Sequence, residues 1–461
     1  MAREGECRVA KSSIDRDHLQ SLIAREAAEF EERHPKSREL FKQAGDGLLG
    51  GVPMSWIKAW QTRFPIFVAR AAGSRVTDVD GQDYIDFFYG ITAAMFGHAI
   101  PAVVEAVTDR VRNGTTFMLP TEDSVWLGRE LARRFGLPSW QVALTSTDAC
   151  RFVIRVARAL TKRQKILVFD GCYHGTIGDT MVRLHEGEMR PLFDGLYLGR
   201  DVSETTRIIE FNDVPALEAA LAPGDVACAL TEPILTNGGM VFPDAGFHDA
   251  LRRLTRDTGT YLAIDETHTI CAGPGGYGAA NDLAPDFLVF GKSIAGGVPA
   301  AIYGFTAEIA ERLGDLLARG GDPGIGGTLM GNALSIAAMR AALEHVMTEA
   351  AYATMTDLCG RLVDGMTGVI EAYALPWQLS RLGARAELHF RAEPPRTGAE
   401  SHDIADHDLE TYLVLYSANR GLLVPPYHNT RTISPALTAA DIDRHTEVFG
   451  ECVATLTGKT A

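Results

Sequence analysis

The sequence lacks the features that would assign it to a membrane, a nucleic acid or an extracellular compartment. No window approaches 18 uninterrupted apolar residues, so no transmembrane helix is predicted. The 44 Lys and Arg residues are outnumbered by 59 Asp and Glu, and the net charge of −15 argues against a nucleic-acid or anionic-membrane partner. The first residues contain none of the hydrophobic region of a signal peptide. We therefore expect a cytoplasmic protein with no nucleic-acid or membrane partner.

Cysteine is also scarce. The seven cysteines are scattered, odd in number and include no Cys-x-x-Cys pair, which indicates reduced thiols rather than a disulfide framework or a zinc site. No metal ligand set is predicted. The remaining composition, with 46% hydrophobic and 22% charged residues over 461 positions, is ordinary for a globular protein and predicts two or three domains.

Apolar runs and helical stretches alternate from about residue 100 onwards. The runs that predict strands are 142–144, 166–169, 227–230, 262–264 and 288–290. Continuous apolar strands separated by helices predict a parallel sheet that is covered on both faces.

The two ends of the chain have mixed patterns. Residues 14–34 predict an amphipathic helix, and residues 67–86 predict strands around an Asp-Gly hairpin turn. A long helical stretch runs from about 331 through residue 348, and a strand is predicted at 386–390. The polar stretch 394–406 is predicted to be a mobile surface loop.

Two of the predicted strands end in groups that suit the chemistry of a carbonyl cofactor. The run 260–264 is followed by Asp265, and the run 287–290 is followed by Gly291 and Lys292. Open α/β sheets bind their ligands at the carboxyl ends of strands. There, a lysine can form a Schiff base with a carbonyl and an aspartate can hold a protonated ring nitrogen, which is the pairing that pyridoxal 5′-phosphate (PLP) needs. Because an isolated lysine is more often a surface charge, this interpretation depends on the motifs around it.

Two further strand ends carry hydroxyl groups and an aromatic ring. Ser146 and Thr147 follow the strand 142–144 and open a helix, where amides and hydroxyls make an anion site; the same residues also serve as an ordinary helix cap. Tyr173 lies between glycines after the strand 166–169, and it can either cover a planar ring or be a buried turn aromatic.

Polar groups recur at the other strand ends. Glu232 and Asn237 place a carboxylate and an amide after the strand 227–230, and a glycine-rich segment with Thr328 offers a second anion site before a helix. Each signal is weak alone. Their positions at successive strand ends of one predicted sheet favour a single binding site.

Taken in order, these motifs resemble those of the class-III aminotransferases, PLP-dependent enzymes of fold type I. The segments that carry the resemblance are Thr-Ser-Thr-Asp-Ala at 145–149, Gly-Cys-Tyr-His-Gly at 171–175, Glu-Pro at 232–233, Asp-Glu-Thr-His-Thr at 265–269, Gly-Lys-Ser-Ile-Ala-Gly-Gly at 291–297 and Gly-Thr-Leu-Met-Gly-Asn at 327–332. Residues 65–86 are similar to the start of the branch that contains glutamate-1-semialdehyde aminomutase and β-amino-acid transaminases. The resemblance covers roughly residues 50–450.

The resemblance implies an α/β fold of the aspartate-aminotransferase type. A large PLP-binding domain, residues 96–330, is expected to contain a mostly parallel seven-stranded sheet flanked by helices. A smaller α+β domain is expected from both chain ends, with residues 1–95 on one side and residues 331–461 on the other.

The resemblance also implies a role for each matching residue. Lys292 is expected to be the Schiff-base lysine and proton shuttle, and Asp265 the carboxylate that pairs with the pyridinium nitrogen. The other matching cofactor contacts are Ser146 and Thr147 at the phosphate, Tyr173 stacked on the ring with His174 beside it, Glu232 and Asn237 near the ring and its hydroxyl, and Thr328 at the phosphate of a neighbouring subunit. The last contact implies a homodimer.

The chain departs from the family pattern at three places. The phosphate turn usually reads Ser-Gly-Thr-Glu, whereas residues 145–148 read Thr-Ser-Thr-Asp. Thr267 and His268 stand where the family commonly has Val and then Met or Gln; His268 is expected either to tune the ring hydroxyl or to pack in the core. The aminomutase arginine that binds the substrate carboxylate is replaced by a segment with Trp56 and Lys58.

The predicted activity is transfer of an amino group from an amine or β-amino acid to a keto acid, through a Schiff base on Lys292 and pyridoxamine phosphate. Arg431 is predicted on a loop, where it either binds a substrate carboxylate or is a solvated surface arginine. Trp56 and Trp60 can line an apolar substrate pocket, and Lys58 is the cation of the same segment. An aminomutase and a PLP lyase or decarboxylase are the alternatives.

Overall fold

A computed structural model describes residues 14–59, 62–403, 405–426 and 428–459. Its helices are α1 (Arg16–Arg33), α2 (Pro35–Ala44), α3 (Pro101–Arg112), α4 (Glu122–Phe135), α5 (Ser146–Thr161), α6 (Val214–Leu221), α7 (Phe247–Asp257), α8 (Gly276–Ala280), α9 (Ala307–Ala318), α10 (Ala333–His345), α11 (Glu349–Ala372), α12 (Gly398–Asp403), α13 (His407–Asn419) and α14 (Ala439–Thr457). Its strands are β1 (Val68–Ala72), β2 (Arg75–Asp78), β3 (Asp83–Asp86), β4 (Ser139–Ala143), β5 (Lys165–Phe169), β6 (Val182–His185), β7 (Glu188–Pro191), β8 (Thr206–Ile209), β9 (Val226–Thr231), β10 (Tyr261–Asp265), β11 (Phe287–Phe290), β12 (Ala301–Phe305), β13 (Gln378–Leu382), β14 (Arg385–His389), β15 (Leu422–Leu423) and β16 (Thr430–Thr432).

The largest sheet has seven strands in the order β4-β12-β11-β10-β9-β5-β8. Every neighbouring pair is parallel except the two pairs that involve β12, which runs antiparallel to β11 and to β4. The five strands predicted from apolar runs are β4, β5, β9, β10 and β11, and all of them lie in this sheet. The predicted mostly parallel seven-stranded sheet is therefore confirmed.

This sheet separates two apolar cores, because successive side chains of a strand point to opposite faces. In β10, Leu262 and Ile264 belong to one core, whereas Tyr261 and Ala263 belong to the other, which also contains the buried face of α5. All of β10 is buried, which explains its continuous apolar run. By the same alternation, Asp265 at the end of the strand points to the α5 side of the sheet.

Segments from both ends of the chain form the smaller sheets. Strands β1, β2, β3 and β15 form one sheet in that order, and Leu422 of β15 lies opposite Ile85 of β3. Helix α1, which is capped by Asp15, packs along α13. Strands β13, β14 and β16 form a separate three-stranded sheet. This arrangement agrees with the predicted smaller α+β part that is built from both chain ends.

The structure corrects two local predictions. The stretch 394–406, predicted as a mobile loop, contains the helix α12, and Ser401 within it is buried. A Cβ added at Gly398 would lie 2.4 Å from the carbonyl oxygen of Asp170, so the backbones pack directly against each other here. The helical stretch predicted from about 331 through 348 is α10, which ends at His345, and Thr348 caps a further helix, α11, that the sequence did not predict.

None of the helices in the described ranges has the length and apolarity needed to cross a lipid bilayer. Six cysteines lie within these ranges, and all six are buried with free thiols. Cys7 lies outside the described residues.

Candidate active site

Lys292 lies just after β11, as predicted, at the first residue of a short 3-10 helix that ends at Ala295. Its Nζ is 3.0 Å from Nε2 of His268. Burial lowers the pKa of the Lys292 amine from its ordinary 10.5 to about 8. Part of the amine is therefore uncharged near neutral pH, and the uncharged amine is the form that attacks a carbonyl.

The backbone of Lys292 is strained. Its φ is +49°, in the left-handed region that residues with a Cβ rarely adopt. Such a conformation costs roughly 1–3 kcal/mol and concentrates at functional positions, where the surrounding fold imposes it. The strain therefore indicates that the surrounding fold holds Lys292 in this conformation for a functional role, at a cost in local stability.

Asp265 is buried and holds its negative charge through its neighbours. Its Oδ2 is 2.9 Å from Nδ1 of His174, and its Oδ1 accepts a hydrogen bond of 3.1 Å from the amide of Thr267. Burial opposes ionisation, but the hydrogen bonds from His174 and Thr267 hold the pKa of Asp265 below its ordinary value. Burial also opposes protonation of His174, yet the bond to Asp265 raises the pKa of His174 well above 6.5. The pair is an ionised carboxylate backed by an imidazolium, which suits a protonated ring nitrogen.

A cradle of hydroxyl groups lies at the amino end of α5. The helix begins at Ser146 and is capped by Thr145, so the amides and hydroxyls of its first turn face the site. The Thr267 hydroxyl lies 2.9 Å from Oγ of Ser146. A Cβ added at Gly291 would lie 2.0 Å from the same oxygen, and one added at Gly175 would lie 2.0 Å from Oγ1 of Thr147. The two glycines therefore leave the hydroxyls free to meet a phosphate.

We expect Gly291→Ala to weaken PLP binding at least about tenfold, because overpacking costs roughly 1–3 kcal/mol and 1.4 kcal/mol is tenfold. Gly291 has a φ of −157°, which any residue adopts, so the effect is steric. Titration of the cofactor-free protein with PLP, followed by absorbance, measures it. Gly178→Ala is the control, because no atom lies within 4 Å of a Cβ at that glycine. Equal affinities of the two variants would contradict the assignment of the cradle.

Glu232 organises the side of the site that carries Tyr173. Its Oε1 accepts hydrogen bonds of 3.0 Å from the amide of Tyr173 and from Nδ2 of Asn237. Its Oε2 accepts from the amide and hydroxyl of Thr236. The Tyr173 ring in turn lies 5.6 Å, centroid to centroid, from the ring of Trp56, at an interplanar angle of 59°. Glu232 therefore fixes the position of the aromatic pair.

These groups surround one cavity of about 350 Å³. The predicted residues that line it are Trp56, Ser146, Thr147, Tyr173, His174, Glu232, Asp265, His268 and Lys292. Strand ends from β4, β5, β9, β10 and β11 thus converge on one site, as the sequence predicted.

Four predicted residues lie outside the lining of this cavity: Asn237, Thr328, Lys58 and Arg431. Asn237 is half-buried and reaches it only through Glu232. Thr328 is exposed, and the side chain of Lys58 is exposed and packs over Gly50. Trp60 lies outside the described residues.

Arg431 does not lie on a loop, which corrects the prediction. It is in β16, is 2% exposed, and its guanidinium contacts Nε2 of His445 and the carbonyl oxygens of Asn429 and Thr430. Burial lowers the pKa of Arg431 to about 10. The sequence could not show this, because an arginine next to a Pro-rich tail has the same pattern whether it is solvated or buried. Arg431 is not among the residues that line the cavity.

Sequence reasoning missed Arg385 and Thr92. Nη1 of Arg385 is 3.2 Å from Nδ1 of His268, and its Nη2 donates to the carbonyl oxygen of Thr236 at 2.7 Å. Oγ1 of Thr92 is 3.1 Å from the same ring nitrogen. Arg385 is 117 positions and Thr92 is 176 positions from His268, so no local pattern could have linked them. His268 is buried, and burial, followed by the charges of Lys292 and Arg385, lowers the pKa of His268 well below 6.5.

The sequence of the chain matches the family model of the class-III aminotransferases over residues 56–453. The protein belongs to the class-III aminotransferase family. Among curated relatives, this class-III enzyme is 33% identical to a glutamate-1-semialdehyde 2,1-aminomutase of Sorangium cellulosum, over 92% of its own chain and 97% of the relative.

Solved structures of the family share the fold. A glutamate-1-semialdehyde-aminomutase of Pseudomonas aeruginosa PAO1 is 46% identical, with a TM-score of 0.94 over 96% of this chain and 99% of the other. An omega-transaminase of Sphaerobacter thermophilus is 25% identical, with a TM-score of 0.84 over 92% of this chain and 99% of the other.

PLP is the cofactor of this class-III enzyme, and a second structure of the Pseudomonas protein is a complex with PMP. The residues of the cavity fit the group. The hydroxyls of Ser146 and Thr147 offer a phosphate cradle that two glycines keep open, Asp265 offers a charged carboxylate, and Lys292 offers an amine.

Proposed function

We propose that this enzyme is an aminotransferase that moves an amino group from an amine or β-amino acid to a keto-acid acceptor. When bound, PLP supplies the electron sink for this chemistry. In this proposal Lys292 holds the cofactor and then carries the proton of the substrate carbon on Nζ. Asp265, charged through its bond to His174, keeps a proton on the ring nitrogen.

The observation that carries the proposal is the position of Trp56. The resemblance to the aminomutases implies an arginine for the substrate carboxylate in the segment at this place. Here the same segment places the Trp56 ring beside Tyr173 in the cavity lining, while the Lys58 side chain lies over Gly50. Among the described lining residues there is no arginine. This supports a donor whose substituent near Trp56 is apolar, such as an aryl or alkyl group.

We expect Trp56→Ala to raise KM for an aryl-substituted amine about tenfold, because an aromatic contact contributes roughly 0.5–1.5 kcal/mol beyond the area it buries. A donor without an apolar substituent should be affected much less. Steady-state kinetics with the two donors measure the difference, and Trp56→Phe, which retains a ring, is the control. A similar rise of KM for both donors would contradict an apolar subsite.

A glutamate-1-semialdehyde aminomutase is the second candidate, because the relatives at 33% and 46% identity carry that name. An aminomutase keeps both halves of the reaction on one molecule, so it needs no acceptor. A transaminase stops after the first half-reaction when no keto acid is present.

Absorbance spectroscopy of the PLP-loaded protein tests the proposal. Amines and β-amino acids are added without an acceptor, and then a keto acid is added. We expect the visible band of PLP to be bleached by the donor and restored by the keto acid. Isomerisation of glutamate 1-semialdehyde without any added acceptor would instead establish the aminomutase. Release of carbon dioxide or of an eliminated group would establish a decarboxylase or lyase.

We infer that the enzyme acts as a homodimer in which Thr328 reaches the cofactor phosphate of the neighbouring subunit. Thr328 is exposed in its own chain and lies outside the lining of its own cavity. Large apolar side chains are also exposed beside it and in the loop before α4, where Met118 and Leu119 are 75% and 70% exposed. Light scattering should give twice the chain mass of 49.9 kDa. A monomer that binds PLP fully would contradict this inference.

A further inference from the structure

A buried arginine, a buried histidine and Lys292 form a continuous chain behind the cavity. Arg385 lies on β14 and is 1% exposed, and its Nη1 is 3.2 Å from Nδ1 of His268. On the other side of the same ring, Nε2 of His268 is 3.0 Å from Nζ of Lys292. The imidazole of His268 therefore connects Arg385, on β14 of the smaller part of the fold, with the amine of Lys292.

The guanidinium of Arg385 determines which ring nitrogen can hold the proton. Arginine carries only donors, so Nδ1 of His268 must accept its hydrogen bond and cannot carry a proton. Thr92, 3.1 Å from the same nitrogen, can donate or accept and so imposes no choice. The neutral ring of His268 therefore has its proton on Nε2, the nitrogen that faces Lys292.

A proton on Nε2 of His268 restricts the state of the amine that it faces. An uncharged amine has a lone pair and accepts this hydrogen bond, whereas an ammonium group has only donors and is repelled. We propose that Arg385 is a positioning residue that sets the tautomer of His268 and thereby favours the uncharged form of Lys292. The proposal rests on the proposed role of Lys292 as the residue that holds the cofactor and carries the proton.

Some of the charged groups on the other elements around Lys292 raise its pKa and others lower it. Burial and the charge of Arg385 lower the pKa of Lys292, while Asp265, Glu232 and Cys150 raise it, and the net value is about 8. Glu232 follows β9 and Asp265 ends β10. Their effect on the pKa of Lys292 is opposed by the charge of Arg385 on β14. The uncharged amine therefore exists in spite of nearby negative charge.

Two further titratable groups face Arg385 and His268. Glu387 is 3.7 Å from the guanidinium, and burial raises the pKa of its carboxyl to about 8, so it is largely protonated at neutral pH. Burial, followed by the charge of Arg385, lowers the pKa of His428 to about 4, so that ring is neutral. Neither group is therefore a fully ionised partner of Arg385, whose Nη1 is directed at Nδ1 of His268 and whose Nη2 donates to the carbonyl oxygen of Thr236.

The tautomer can be observed directly in the full-length holoenzyme loaded with pyridoxamine phosphate, a form in which Lys292 is not bonded to the cofactor. Nitrogen-15 NMR of histidine-labelled protein distinguishes a protonated Nε2 from a protonated Nδ1, and His268→Gln identifies the signal. In the same samples, labelling of Lys292 by an amine-reactive reagent is followed against pH by mass spectrometry. We expect the proton of His268 on Nε2 and a labelling midpoint near pH 8.

The variants separate the tautomer from a simple effect of charge or folding. Arg385→Met should move the proton of His268 toward Nδ1, where Thr92 can accept it, and should raise the labelling midpoint of Lys292 by about one pH unit or more. Arg385→Lys keeps a charged donor and should retain the wild-type tautomer. Arg381→Met, an exposed arginine on the neighbouring strand β13, is the control and should change neither readout.

Three results would overturn the inference. They are a wild-type His268 with its proton on Nδ1, an Arg385→Met variant that keeps the Nε2 proton, and an unchanged labelling midpoint in that variant. If Arg385→Met does not fold, the His268 tautomer measured in the wild type and in Arg385→Lys still tests the inference. A protein that shows the Nε2 proton but transfers no amino group to a keto acid would support this inference and overturn the proposed function instead.

Discussion

Replacing Lys292 with alanine is expected to lower kcat by about 10⁴-fold or more. The residue both holds the cofactor and carries the proton in the proposed reaction, and a positioned proton carrier alone contributes roughly 10²–10⁴-fold. No other lysine lines the cavity in the described part of the chain. His268, 3.0 Å away, cannot substitute for it, because burial and the charge of Arg385, which remain in the variant, lower the pKa of His268.

The variant should nevertheless bind pyridoxamine phosphate. The hydroxyl cradle of Ser146 and Thr147 and the carboxylate of Asp265 do not depend on the lysine side chain. Isothermal titration with pyridoxamine phosphate and kcat measurements should therefore diverge in Lys292→Ala. Lys42→Ala, an exposed lysine of α2, is the control and should match the wild type in both. A Lys292→Ala protein with more than about a hundredth of the wild-type kcat would contradict the central role of the lysine.

The strands around the site could be predicted because burial on both faces demands continuous apolar residues. The run at 287–290 is an example, since β11 is buried along its whole length. Lys292 and Asp265 could be predicted for a related reason. Each is a functional group placed where an apolar strand ends, and parallel strands bring these ends together.

Arg385 and Arg431 show where this reasoning fails. Both are arginines in the three-stranded sheet of β13, β14 and β16, and both are nearly fully buried. Arginine is usually exposed, so composition favours a surface position for each. Only the three-dimensional packing shows that Arg385 reaches His268, which is 117 positions away, while Arg431 reaches His445 instead. The sequence also offers no signal for which ring nitrogen of a histidine is engaged.

Asp265→Asn is expected to lower kcat by about 10²–10³-fold while preserving the shape of the site. The amide has the size of the carboxylate but no charge to hold a proton on the cofactor ring, and the loss of one preorganised electrostatic partner has an effect of about this size. Glu266→Gln is the matched control. Glu266 is equally buried, but its carboxylate accepts from the amides of Tyr277 and Gly278 and does not line the cavity. We expect its substitution to leave kcat nearly unchanged.

Asp265→Asn should also change how the free energy of unfolding depends on pH. The pKa of His174 is raised in the folded protein, so its stabilisation is present below 6.5 and is lost as pH rises through the higher folded value. The pKa of Asp265 is lowered, so its stabilisation is present above the ordinary 3.8 and is lost as pH falls through the folded value. Both contributions are therefore retained between the ordinary pKa values of the two groups.

Burial lowers the pKa of His174, and Asp265→Asn removes the largest effect that opposes it, so that only the weaker contacts with Cys150 and Cys172 still raise this pKa. The unfolded chain binds a proton below about pH 6.5 that the folded variant excludes, so the free energy of unfolding should fall by up to about 1.4 kcal/mol per pH unit as pH decreases below that value. The wild type should lack this loss, because below that pH its His174 is protonated in both the folded protein and the unfolded chain. Urea unfolding of both proteins between about pH 8 and about pH 5 measures the difference. Parallel pH profiles would show that His174 does not depend on Asp265 for its charge, and the electrostatic account of the site would then be wrong.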